Sequence, residues 1–274
     1  MKRLLVAVLL LLSPVSLNAQ TPDADYQRVL VPVFNFGGGA GGSAWFSSFD
    51  MVSTAGAFDL ARPVLKDTAA CDFFCPCETK ARVESQKSET LCPQFEHPYG
   101  LLLWVPRNVN RRDVHTYLRV RDTSRDAERA GTQIPVIWEE DLFGSTMMLL
   151  DVKTEPRYRS TLRLYDAYQF PTEFSLRFYD MAEFRKGNLE LLVEARVSVD
   201  VAETSNPRFP LRPAELTIGS IVARWPELAK AESVAIEVIG SHAITSPPQY
   251  EYRFYALASI TNNVTHEVTI VSPR

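Results

Sequence analysis

A doubled pattern between Arg157 and Asp180 limits the folds open to this chain. It runs Arg-Tyr-Arg-Ser-Thr-Leu-Arg-Leu-Tyr-Asp, breaks at Ala-Tyr-Gln-Phe-Pro-Thr-Glu, and resumes as Phe-Ser-Leu-Arg-Phe-Tyr-Asp. Apolar and polar residues alternate in both runs, the period of a strand with one buried and one wetted face. Leu162, Leu164, Leu176 and Phe178 fall on the apolar face, Arg163 and Arg177 on the other. Turn-forming residues between the runs predict that they pair with each other. A third copy, Tyr117-Leu-Arg-Val-Arg-Asp122, lies upstream.

The same alternation predicts strands over 28–36, 43–52, 57–65, 100–105, 115–121 and 132–138, then over 145–152, 188–201, 216–223, 233–239, 251–261 and 266–272. Pro32 marks the first of these as an edge strand, because proline cannot donate to a ladder. Trp45, Ser47, Phe49 and Met51 share one face of the second. The Gly37–Gly42 run matches the G-x-G-x-x-G phosphate cradle in form. That motif needs a helix after it, and a strand pattern follows, so the glycines are expected to form a turn. Helices are confined to short stretches at 126–130 and 225–231. Many short strands with frequent turn signals predict an all-β antiparallel sandwich.

The acidic run Glu139-Glu140-Asp141 marks a shift in composition, and we place a domain boundary there. Residues 26–138 then form a first sandwich, carrying a cysteine-containing insertion at 66–98, and residues 139–274 form a second. An internal repeat agrees with the division. Trp45–Val52 aligns with Tyr158–Tyr165, and Tyr117–Ser124 with Tyr255–Asn262, in the same order within each half.

The chain opens Met1-Lys2-Arg3, continues in the apolar run Leu4–Leu12, and reaches small and polar residues ending at Ala19. This is the pattern of a signal peptide over 1–19, cut after Ala19, and it predicts a secreted or periplasmic protein. The run is too short to span a bilayer, and no later stretch approaches that length. A net charge of −4, more negative once Lys2 and Arg3 are gone, excludes nucleic acid as an expected partner. The cysteines Cys71, Cys75, Cys77 and Cys92 are even in number and sit in an oxidising compartment, which predicts two disulfides. A Cys75–Cys77 bridge would be severely strained. Cys92 therefore pairs with Cys75 or with Cys77, and Cys71 with the other. The competing reading, a four-thiolate zinc site, lacks the paired C-x-x-C spacing.

Several further motifs carry a resemblance. They are Gly41-Gly-Ser-Ala-Trp45, the Arg-x-x-Leu-x-Leu strand Arg159–Leu164, Arg177-Phe-Tyr-Asp180, Tyr255-Ala-Leu-Ala-Ser259, Asn262-Asn-Val-Thr265 and Pro273. In these the chain resembles a family of secreted bacterial β-sandwich repeats, immunoglobulin-like, found in tandem or appended to extracellular enzymes. The resemblance covers nearly the whole chain after residue 19. It implies fold and location and carries no catalytic residues; the cysteine cluster departs from the simple repeat.

Familiar catalytic motifs are absent. Gly41-Gly-Ser-Ala is followed by Trp45 where a nucleophile elbow needs glycine, and Ile270 stands where the zinc-protease pattern begun by His266-Glu267 needs histidine. His97, His115 and His242 stand apart in the sequence. The expected function is thus non-catalytic binding or structural presentation, with a protein or polysaccharide partner at the cell exterior. The alternative is an extracellular hydrolase of unfamiliar design. Tyr168, Phe170, Trp225, Tyr250 and Tyr252 are candidate ligand-stacking aromatics at strand ends and loops, although aromatics in a sandwich more often fill the core. Glu139, Glu140 and Asp141 could supply oxygen ligands to calcium between the domains, although an acidic run is usually a solvated linker. No other cofactor is expected.

Overall fold

The computed structural model describes residues 23–34, 36–38, 44–66, 78–91, 99–124, 131–168, 172–199, 208–242 and 253–273. The four cysteines, His97, Phe170, Tyr250, Tyr252, the leader expected over 1–19 and the helix expected at 126–130 lie outside the described residues.

In the N-terminal half the strands are β1 (Tyr26–Phe34), β2 (Phe36–Gly38), β3 (Ala44–Ser53), β4 (Phe58–Lys66), β5 (Glu78–Val83), β6 (Ser88–Leu91), β7 (Tyr99–Pro106), β8 (Val114–Asp122), β9 (Thr132–Ile134) and β10 (Ile137–Trp138). They form one sheet in the order β10-β1-β7 and another in the order β5-β4-β6-β3-β8-β9, with β2 on β3. The C-terminal half contributes β11 (Thr146–Lys153), β12 (Tyr158–Asp166), β13 (Thr172–Asp180), β14 (Leu191–Val199), β15 (Ala214–Ile218), β16 (Ser233–His242), β17 (Phe254–Asn262) and β18 (Val268–Val271). These make two four-stranded sheets, β11-β16-β13-β14 and β15-β12-β17-β18. Among the described residues every pairing between these strands is antiparallel, and each lies within one half.

The doubled pattern between Arg157 and Asp180 forms β12 and β13, with Leu162, Leu164, Leu176 and Phe178 all fully buried. They do not pair with each other. β12 lies between β15 and β17, and β13 between β14 and β16, so the chain crosses from one sheet to the other between them. The period of two sets which side chains point inward and is silent about which strand is the neighbour. The rings of Phe174 on β13 and Phe254 on β17 meet across the core, centroids 5.3 Å apart.

The three repeated strands share a device at their ends. Asp122 accepts the backbone N–H of Ser124, Asp166 that of Tyr168, and Asp180 that of Ala182, each two residues ahead. A short carboxylate reaching forward in this way turns the chain and satisfies an amide that the strand leaves open. At Asp180 the turn also caps the short helix α1 (Met181–Phe184).

Three expectations about strands are corrected. β1 is the centre of its sheet, and Pro32 is tolerated there because the register with β7 slips between Val31 and Phe34, while the short β10 reaches only Val29 and Leu30. The strand expected over 132–138 is split by Pro135 into β9 and β10, which join different sheets. The strand expected over 216–223 stops at Ile218. Ser220 then accepts the N–H of Ala223 and opens the helix α2 (Ile221–Arg224), which the 3-10 turn Pro226–Lys230 follows. The internal repeat has a counterpart in space, since β3 pairs with β8 and β12 with β17. The alignment would place Tyr158 opposite Ile260; it lies opposite Asn262, two residues along, which keeps each side chain on its face.

Candidate functional site

Most buried apolar residues of both halves form one contiguous cluster, and β1 and β7 supply contacts on the N-terminal side of the seam. Backbone and ring contacts close the seam. Leu102 N donates to Leu211 O at 2.7 Å, and Trp104 Nε1 to Pro210 O at 2.8 Å. The hydroxyl of Tyr165 donates to the carbonyl of Pro32.

At the centre of the seam sits Arg28, 1% exposed. Its guanidinium lies between the rings of Tyr168, 3.9 Å away, and Trp104, 4.7 Å away. Glu139 answers its charge at 3.5 Å, and also accepts the Arg28 backbone N–H at 2.7 Å, the Tyr168 hydroxyl at 3.1 Å and Arg107 at 3.0 Å. The side-chain nitrogens of Arg28 make no hydrogen bond among the described residues. Two ring faces and one carboxylate therefore hold the cation, a geometry that suits a planar guanidinium better than an ammonium. Burial lowers the Arg28 pKa, with Glu139 opposing. Burial and then Glu139 push Tyr168 up to about 12, so its hydroxyl stays protonated and donates.

Beside this cluster an open groove of about 720 Å³ is lined by Gln27, Arg107, Asn110, Arg111, Arg112, His115 and Glu140, together with the apolar Val109 and Val114. The turn that builds it is fixed locally. Asn110 accepts the N–H of Arg112 at 3.0 Å and starts a 3-10 turn over Arg111–Asp113, and Gln27 donates to Val109 O at 3.2 Å. Arg107 is held by Glu139. Arg111 is held by Glu140 at 2.8 Å and Asp141 at 2.7 Å, contacts that raise its pKa. Arg112 is exposed and has no ion-pair partner among the described residues. A planar fork of donors in such a position is suited to a carboxylate or a sulfate.

A second titratable cluster lies further along the seam. Glu215 on β15 accepts the N–H of Gly100 at 2.6 Å and stands opposite Tyr165 in the ladder. Its burial raises the carboxyl from 4.5 to about 7, against the pull of the Gly100 amide, Arg163 and Arg212. Gly100 is required by this approach: a Cβ there would lie 2.8 Å from Pro213 and 3.2 Å from the Glu215 carboxylate.

The acidic run predicted as a calcium site is placed beside this groove, with all three carboxylates on arginines. Among the described residues no group of three or more His, Cys, Asp or Glu side chains could hold a metal ion. Tyr168 is corrected from a surface aromatic to a buried one, its ring turned onto Arg28. Trp225 is half-buried, packed 4.9 Å from Phe178. Both rings are drawn in by the same apolar area that suggested a stacking surface. Arg28, Gln27, Glu215 and the basic turn 107–112 carry no motif in the sequence beyond the density of arginines in that turn. No described helix is long and apolar enough to cross a membrane. Compared with protein-family models, curated proteins and solved structures, the chain matches none.

Proposed function

We propose that this is an exported, non-catalytic binding protein made of two immunoglobulin-like sandwiches in tandem, and that it holds acidic polysaccharide in the groove between Arg107 and His115. The observation that carries the reading is Arg112, a guanidinium with no ion-pair partner among the described residues, in a groove whose other arginines are already paired, on a chain with net charge −4. A uronate or sulfate group would meet that fork, and the sugar face would rest on Val109 and Val114. The tandem division is supported by strand pairings that, among the described residues, do not cross residue 139, and by the matching β3–β8 and β12–β17 pairs. Export rests on the leader pattern over 1–19, and the resemblance to secreted repeats agrees with it.

Glycan binding measured at low salt is expected to rank polygalacturonate or a sulfated glycan above neutral dextran. Arg112→Glu should weaken the acidic ligand about tenfold, and added salt should weaken it further. Equal binding of neutral and acidic glycans, or an unchanged affinity in the variant, would remove the groove from consideration. The tandem division has its own test. Residues 139–274 contain both of their sheets complete and are expected to give a β-rich spectrum and a cooperative melt, at a lower temperature than the full chain because Tyr165 and Tyr168 lose their cover. An unfolded fragment would favour one continuous structure.

A further inference from the structure

Strand edges left unpaired invite another strand, and most edges of the C-terminal sheets are guarded. β18 has four residues and β15 five, the latter entered through Pro213. β11 is bent by a register slip at Asp151, whose φ is +64°. β14 differs. It runs nine residues with no proline or glycine, pairs only with β13 among the described residues, and has its one irregularity at the Leu191 end. Opposite Phe174, Leu176 and Phe178 it presents Val197, Ala195 and Val193 inward, so no inward charge protects the edge. Leu189 and Leu191, 68% and 46% exposed, stand at its start. Beside it a cleft of about 630 Å³ separates the edges of β14 and β15.

The outward face of β14 carries Glu194 and Arg196, and their order identifies the occupant. From this we infer that the edge receives the β14 strand of a second copy of the chain, antiparallel and centred on Ala195. An added strand that keeps its apolar face inward must pair about a residue rather than between two. Centring on Glu194 would oppose two carboxylates, and centring on Arg196 two guanidinium groups. Centring on Ala195 sets Glu194 opposite the partner's Arg196 and Arg196 opposite the partner's Glu194. It also sets Val193 opposite the partner's Val197 on the inner face, and Leu191 falls opposite the partner's Val199. The pairing continues a charge row already present on the sheet, where Arg177 bridges Glu237 at 3.6 Å and Glu194 at 3.0 Å. One surface thus serves both copies, and the two-fold closes with no further free edge at β14.

Sedimentation velocity on the purified full chain is expected to give a dimer at about 100 µM. Glu194→Arg and Arg196→Glu should each weaken self-association about tenfold or more, since each sets like charges opposite one another twice. An equimolar mixture of the two variants should recover a one-to-one dimer near wild-type affinity, because each charge on one chain then meets its opposite on the other. The mixture separates docking from any loss of the bonds to Arg177 or Glu173, which both variants suffer alone and mixed alike. Should either variant fail to fold, hydrogen exchange on the wild type decides: amides within 193–197 should gain protection as concentration rises. A monomer at every concentration, dimers indifferent to both substitutions, a mixture no tighter than its components, or concentration-independent exchange would each overturn the proposal. Capture of a strand from a different protein by a chain that never self-associates is a fifth outcome, and it too overturns it.

Discussion

Glu139→Ala is expected to destabilise the protein by about 3–5 kcal/mol, the range for breaking a buried ion pair from one side. The size follows from what the carboxylate holds. It accepts the backbone N–H of Arg28, the Tyr168 hydroxyl and Arg107, and it is the ion-pair partner of a guanidinium that is 1% exposed. Removing it strands a cation between two rings with no other counter-ion in contact among the described residues. The replacement Arg28→Met with Glu139→Leu should cost less than Glu139→Ala, because no charge is then left uncompensated. Urea unfolding monitored by tryptophan fluorescence gives the comparison, and the midpoint should move without a change in slope. Glu140→Ala serves as the control. Its contact to Arg111 is solvent-exposed, so a change under about 1 kcal/mol is expected. A loss for Glu139→Ala as small as that of Glu140→Ala would mean that water reaches Arg28.

The run Glu139-Glu140-Asp141 shows why this pair was not legible in the sequence. Adjacent carboxylates suggest a solvated linker or a metal site, and nothing local reveals that the first is buried beneath Arg28, 111 positions earlier. Arg28 was equally hidden, standing at the head of an apolar run as though it were only a strand end. What alternation could reach, it reached: the inward positions Phe49, Met51, Leu162, Leu164, Leu176 and Phe178 are all buried. It could not choose between pairing β12 with β13 and facing one sheet with the other, because both arrangements bury the same side chains. The groove failed for a different reason. The strand-end aromatics Tyr168 and Trp225 pack inward, whereas the groove is lined by the arginine turn at 107–112, where Asn110 fixes the backbone. The Asp that ends each repeated strand was in plain view, and its role needed only the observation that an amide two residues ahead lies within reach of a short carboxylate.

Glu215→Gln is expected to stabilise the protein by about 3 kcal/mol at pH 8 and to leave it nearly unchanged at pH 4. The folded chain raises this carboxyl from 4.5 to about 7, chiefly through burial at the seam. Between those values the folded state holds a proton that the unfolded state has released. Stability attributable to this group therefore falls as pH rises from about 4.5 to about 7 and is level above that. Glutamine removes the charge yet keeps an oxygen for the Gly100 N–H, so the contact between β7 and β15 survives. Arg163 and Arg212 favour the ionised form and limit the effect. Thermal or urea unfolding of both proteins at intervals from pH 4 to pH 8 should give curves that meet at the acid end and diverge towards the alkaline end. Parallel curves would show that Glu215 ionises as an ordinary surface carboxylate. Divergence in the opposite direction, with the variant losing ground at high pH, would show that the carboxylate at the seam is held by its arginines in ionised form.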